Sequence, residues 1–188
     1  MEHYHTVRNV IMIYDDYMEY MKSLNLDPGR SINPKICRQL VPLLIKYNPK
    51  MILEIGRDKG NSMGMFRYFL PESYVVSIDI VRCGEAVFVS EMFGSCKLID
   101  GCSDILKDMD EKFDLILIDG DHTYEGCKKD WINIQNSMSD DCVVLFDNLS
   151  HGKGCGQAFY EITDDKYNKT ILSCDNRERM GILTTNEK

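Results

Sequence analysis

Two kinds of hydrophobic spacing divide the chain. Val7, Val10, Tyr14, Met18, Met21 and Leu24 recur at intervals of three and four, which predicts an amphipathic helix stopped by Pro28-Gly29. A second helix is expected from Pro34, in its first turn, through Ile45, ended by Asn48-Pro49. Short apolar runs then take over: KMILEIG, YVVSIDI, KLID, FDLILID and CVVLFDN, each closed by a glycine, polar or acidic break. Unbroken aliphatic runs suit strands buried on both faces, hence a parallel sheet, and segments 61–70, 81–94, 103–110 and 123–138 are long enough for crossover helices. KTILSCDN and RMGILTTN are separated by the charged turn Arg177-Glu178-Arg179. A connection that short cannot join parallel neighbours, so these runs are expected to pair antiparallel at one sheet edge. The predicted fold class is α/β: a doubly wound, mostly parallel, Rossmann-like seven-stranded sheet with an antiparallel edge strand and an N-terminal helical extension. Residues 1–48 form the extension and residues 49–188 the sheet domain.

Composition narrows the function classes. At 188 residues the chain is long enough for one core without covalent staples. A net charge of −8 argues against binding nucleic acid through its phosphates. No apolar run approaches the length of a membrane span, and the polar start MEHYHTVRNV lacks the apolar segment of a secretory signal, so a cytoplasmic protein is expected. The eight cysteines are scattered without a C-x-x-C pair and read as free, buried thiols.

In open α/β sheets ligands bind beyond the carboxyl ends of the strands. Here those ends carry Glu54 and Gly56, Asp79, Asp119 and Asp121, and Asp147 with Asn148, which should converge on one crevice. LEIGRDKGNS (53–62) couples a strand to a helix: Gly56 and Gly60 allow a tight turn and close approach, and Asn61 or Ser62 can cap the helix. Asp79 ends the next strand, where a carboxylate accepts hydrogen bonds from ribose hydroxyls. The pattern E-x-G-x-x-x-G lacks the full G-x-G-x-x-G phosphate cradle, which disfavours an NAD-dependent oxidoreductase. Glu54 suits a cationic ligand better than a diphosphate, and a sulfonium cofactor with an amino group and a ribose matches these residues.

LEIGRDKGNS followed by SIDI resembles the first two motifs of class I S-adenosylmethionine-dependent methyltransferases. The variant E-I-G-x-x-x-G-x-S is similar to that of the metal-dependent O-methyltransferases of the catechol and caffeoyl-CoA type. FDLILIDGDHTYEGCKKDW resembles the related sugar O-methyltransferase and cephalosporin-hydroxylase-like group. The resemblance covers about residues 48–150. It implies that Gly56, Gly60 and Ser62 line the methionine end of S-adenosylmethionine, that Asp79 holds the ribose, and that Gly101, Cys102 and Ser103 flank the adenine; Glu54 and Asp119 are also expected at the cofactor.

Asp119 and Asp147 end strands expected to be neighbours, and Asn148 follows the second. Two carboxylates and an amide oxygen are hard ligands that suit Mg²⁺. The resembling families bind their metal at these positions and place a general base where His122 stands. A cation acidifies a substrate hydroxyl, and the imidazole removes the proton. Asp121 is expected to cap the following helix or to orient His122. After Asn148, LSHGKGCGQAFYEI reads as a glycine-rich mobile lid carrying His151 and Lys153, while Tyr124 and Trp131 read as core and helix-face residues. The expected activity is Mg²⁺-dependent O-methyl transfer to a small hydroxylated molecule, a sugar or vicinal diol. Residues 1–48 would cover the acceptor or build a homodimer contact. The rival reading is a non-catalytic protein that binds S-adenosylmethionine or a nucleoside on the same scaffold; such a protein has no need of a base beside a metal.

Overall fold

A computed structural model describes residues 14–26, 32–149, 154–174 and 179–185. The start of the first predicted helix, its Pro28-Gly29 stop, His151 and Lys153 lie outside these residues. Residues 14–23 are helical (α1). Helix α2 (Pro34–Tyr47) begins where the Asn33 side chain accepts the Lys35 N–H and ends at left-handed Asn48, whose N–H bonds Leu44 O. Alternation follows: β1 (Met51–Ile55), α3 (Asn61–Phe69), β2 (Tyr74–Asp79), α4 (Gly84–Phe93), β3 (Cys96–Asp100), a 3₁₀ helix (Ser103–Asp108), β4 (Phe113–Ile118), α5 (Tyr124–Ile134), β5 (Met138–Phe146), α6 (Cys155–Glu161), β6 (Tyr167–Ser173) and β7 (Arg179–Thr185).

The strands form one sheet in the order β3-β2-β1-β4-β5-β7-β6. The first five are parallel. β7 runs antiparallel to both β5 and β6, so the tail strands do pair antiparallel at the edge, with β7 the inner of the two. The third crossover is a 3₁₀ helix instead of the expected α-helix.

Alternate residues of each strand serve opposite faces. Ile52, Val75, Leu115, Leu117, Val143 and Leu145 pack under α1, α2 and α3, together with Tyr14, Tyr17, Met21, Ile36, Leu40 and Phe66. Leu53, Ile55, Val76, Ile78, Ile116, Ile118, Val144 and Phe146 pack under α5 and α6 with Cys127, Ile134 and Phe159. Each such side chain contributes about 1.5–3 kcal/mol by leaving water, which is why the runs are mostly apolar. Helix α6 corrects the lid expectation for residues 155–161: Cys155, Ala158 and Phe159 are buried, and Gly156 lies so close to Leu149 that a Cβ would come within 2.9 Å of its carbonyl oxygen.

Trp131 packs against Phe146 and Tyr167, with ring centroids at 5.8 and 5.6 Å, and the Tyr124 hydroxyl donates to Glu161. Both are structural, as expected. All eight cysteines are free; Cys37, Cys127, Cys142 and Cys155 are buried, and Cys102 is exposed. Among the described residues no helix is long and apolar enough to cross a membrane.

Candidate active site

A cleft of about 720 Å³ opens beyond the carboxyl ends of β1, β2, β3, β4 and β5. That volume is within the range of small-molecule and cofactor sites. Of the residues expected there from sequence, Gly56, Ser62, Asp79, Gly101, Cys102, Ser103, Asp119, His122, Asp147 and Asn148 line it. Glu54 and Gly60 do not.

Glu54 is a correction with a simple cause. Strand alternation turns it to the same face as Ile52, beneath α3. Its carboxylate is 0% exposed and accepts from the hydroxyls of Ser62 and Ser77. Burial pushes its pKa up to about 7, against the pull of those two hydrogen bonds. Ser62 therefore stands between Glu54 and the cleft. Gly60 sits at φ +82 as the N-cap of α3, so its role is to turn the chain into the helix.

Gly56, at φ +93, brings the ends of β1 and β4 together: a Cβ there would lie 2.1 Å from Asp119 O. The next residue, Arg57, is only 2% exposed and went unrecognised in the sequence. Its guanidinium donates to Ser77 O, Ile99 O and Val81 O at 3.0, 3.3 and 3.1 Å, and to Asp100 Oδ1 at 3.0 Å. One buried cation thus ties the ends of β2 and β3 to the glycine turn. Asp79 is fixed by the same loop: Oδ2 accepts the N–H groups of Arg57 and Asp58 (2.7 and 2.9 Å), and Oδ1 accepts Val81 N–H (2.8 Å).

At the other end of the cleft the ends of β4 and β5 bring together the residues expected to serve metal and base. His122 Nε2 lies 3.2 Å from Asp119 Oδ1 and 3.2 Å from Asn148 Nδ2, which is itself 3.2 Å from Asp147 Oδ2. The hydrogen bond to Asp119 is the main reason that the His122 pKa is pushed up to about 9, so the resting imidazole is protonated at neutral pH. Burial, and next the facing Asp119, push Asp147 up to about 7. Asn148 holds a left-handed φ of +56, a conformation that costs energy outside glycine. Among the described residues no group of three or more His, Cys, Asp or Glu side chains forms a metal site; two carboxylates and one amide are what these strand ends offer.

Asp121 neither caps α5 nor touches His122 through a hydrogen bond. Thr123 is the N-cap, accepting Gly126 N–H, and Asp121 Oδ1 accepts Thr123 N–H at 2.9 Å. Asp130, another residue without a sequence signal, lines the cleft from α5 at 7% exposure.

A family model described as a methyltransferase domain matches residues 53–149, just over half of the chain and the whole of this cleft's acidic lining from Asp58 to Asp147. The chain belongs to the methyltransferase-domain family. Comparison with curated proteins finds no match. Solved methyltransferases share its fold. An O-methyltransferase from Bacillus cereus in complex with SAH superposes with a TM-score of 0.71 at 18% identity, over 93% of this chain and 91% of that one. An O-methyltransferase from Streptomyces achromogenes involved in tomaymycin synthesis, in complex with SAM, gives 0.70 at 17%, over 93% and 90%. The SAH-bound methyltransferase of Podospora anserina gives 0.68 at 18%, over 93% and 88%. The seven-stranded Rossmann-like sheet expected from the aliphatic runs is the fold of this family domain.

Proposed function

We propose that this methyltransferase-domain protein transfers a methyl group from S-adenosylmethionine to a hydroxyl of a small molecule or sugar, with Mg²⁺ held by Asp119, Asp147 and Asn148. One observation carries the reading: a loop-fixed Asp79 with Gly101–Ser103, and an acidic cluster bearing an imidazole, open into the same cleft. The cofactor fits the first end. Asp79 offers the remaining acceptor site of Oδ1 to a ribose hydroxyl, and the N-terminus of α3, with Asn61 and Ser62, faces the space where the methionine portion would lie. When bound, S-adenosylmethionine supplies an electrophilic methyl group on a sulfonium.

A cation fits the second end. The donors are hard oxygens, and the two carboxylates of Asp119 and Asp147 face each other, an arrangement that supports a cation there. When bound, a divalent cation supplies charge that acidifies a nearby hydroxyl. His122 does the proton work. When Asp119 gives up its hydrogen bond, the main cause of the raised pKa is removed and the ring returns toward its ordinary 6.5, able to take a hydroxyl proton at neutral pH. Asn33, Pro34 and Ile36 line the cleft from the start of α2, which supports an acceptor-covering role for the N-terminal segment. The remaining contribution is to hold oxygen and methyl group in line.

The test is transfer of labelled methyl from S-adenosylmethionine to a panel of sugars and vicinal diols, with Mg²⁺ and with chelator. Transfer that needs Mg²⁺ and vanishes in Asp119→Ala supports the reading. Transfer unaffected by chelator would remove the metal from it, and failure of every acceptor together with failure to bind SAH would remove the methyl transfer.

A further inference from the structure

We propose that Arg179 reads an anionic group on the acceptor, so that the molecule methylated is a hydroxylated carboxylate or phosphate ester and not a neutral alcohol. The inference rests on the reading of the cleft as a methyl-transfer site and names the substrate class of that site. Arg179 opens β7, lines the cleft and is half-buried. The other cations of the lining are already committed. Arg57 pairs with Asp100 at 3.0 Å, Lys59 pairs with Glu85 at 3.2 Å, and His122 faces Asp119 at 3.2 Å. Among the described residues no acceptor lies within hydrogen-bond or ion-pair distance of the Arg179 guanidinium. The carboxylates at this end of the cleft are turned to other donors: Asp147 Oδ2 accepts Asn148 Nδ2 at 3.2 Å, and Asp121 Oδ1 accepts Thr123 N–H at 2.9 Å. A half-buried guanidinium without a partner has given up hydration for nothing, so the group that fills the cleft is expected to bring the acceptor.

Topology decides which ligand brings it. β7 runs antiparallel beside β5 with Gly181 opposite Phe146, and Leu149 N–H donates to Arg179 O at 3.0 Å. Arg179 therefore stands beside Asn148, one strand spacing of about 5 Å outward from the strand that leads into Asp147. From β2, which carries Asp79, it is four strand positions away, on the order of 19 Å. From β1 it is three positions away, about 14 Å. The guanidinium is thus placed for the acceptor, whose hydroxyl meets His122, and not for the cofactor's ribose or its methionine portion toward α3. The planar fork of N–H donors matches the paired oxygens of a carboxylate or a phosphate. A neutral alcohol offers it no countercharge.

The experiment is calorimetric titration of matched pairs into the SAH-loaded chain: 3,4-dihydroxybenzoate against 3,4-dihydroxybenzamide, and glucose 6-phosphate against glucose. Each is run with Mg²⁺ and with chelator on wild type, Arg179→Gln and Arg179→Lys, with thermal unfolding as the check on folding and methyl transfer followed in parallel. The wild type is expected to favour the charged member of at least one pair by about tenfold or more, and the pair that shows it separates carboxylate from phosphate. Arg179→Gln should bring that ratio close to one, and Arg179→Lys, which keeps the charge without the fork, should hold it between the two. A wild-type ratio near one in both pairs, or no binding of either charged member, overturns the proposal. So does a ratio that Arg179→Gln leaves unchanged; if that variant loses SAH affinity instead, Arg179 belongs to the methionine carboxylate. If the variants do not fold, the wild type in chelator decides: a preference for charge that vanishes without Mg²⁺ belongs to the metal and refutes the role of Arg179. If SAH does not bind the wild type and no member of the panel accepts methyl, the reading of the cleft as a methyl-transfer site has failed and takes the proposal with it, a result distinct from loss of the anion preference alone.

Discussion

Replacing Asp147 by Asn should stabilise the metal-free protein at alkaline pH while destroying its response to Mg²⁺. In the fold the Asp147 carboxyl holds its proton up to about 7, because it is buried against Asp119, whereas in the unfolded chain it releases it at the ordinary 3.8. A folded pKa above the unfolded value means that the native state binds the proton more tightly. The stabilisation from this group is therefore complete below about pH 4 and is lost as the pH rises to about 7. Roughly three pKa units correspond to a ceiling on the order of 4 kcal/mol. Sharing of the penalty with Asp119 brings the expectation to about 2 kcal/mol, or roughly 4–8 °C in Tm for a chain of this length. Asn is nearly isosteric and uncharged, so it escapes this loss. Urea unfolding in chelator, from about pH 4 to about pH 8, should show the variant gaining on the wild type across the interval. With saturating Mg²⁺ the wild type should recover, since a ligand that binds only the native state stabilises it, and the variant should not. A stability difference that stays constant with pH, or a variant less stable than wild type at alkaline pH without metal, would refute the reasoning.

Asp119→Ala should abolish Mg²⁺-dependent turnover while leaving SAH affinity nearly unchanged, as isothermal titration and a methyl-transfer assay can establish. Asp79→Ala should do the reverse, weakening SAH by at least about tenfold through lost charge-assisted hydrogen bonds, with Mg²⁺ binding retained. In the metal-free protein His122 should titrate near 9 by NMR, and added Mg²⁺ should lower that midpoint. Its pairing with Asp119 therefore stabilises the fold fully below about pH 6.5 and not at all above about pH 9, a window that His122→Gln should erase.

The framework was legible because the burial of both strand faces leaves a mark in sequence: apolar residues at every position from Leu115 to Ile118, and from Val143 to Phe146. The strand-end rule then assigned Asp79, Asp119, Asp147 and Asn148 to a single cleft, where the structure places them. Helix α6 was hidden by its glycines, which signal a loop; Gly156 is there to let the helix press against Leu149. Glu54 read as a cofactor ligand because its charge outweighed the strand alternation that turns it inward under Ser62. Arg57 and Asp130 carry charges that ordinarily mean solvent, and the carbonyls and hydroxyl that allow their burial come from distant segments. The insertion of β7 between β5 and β6 is likewise a matter of tertiary pairing, invisible to local pattern.

The central claim, that a cofactor site and a metal site share this cleft, is tested most directly by calorimetric titration of SAH with Mg²⁺ present and with chelator, in wild type and in Asp119→Ala. The account predicts saturable SAH binding in every arm, and a separate Mg²⁺ isotherm that disappears in Asp119→Ala. Absence of heat from both ligands in the wild type would contradict it, leaving a methyltransferase scaffold without the chemistry assigned to its acidic strand ends.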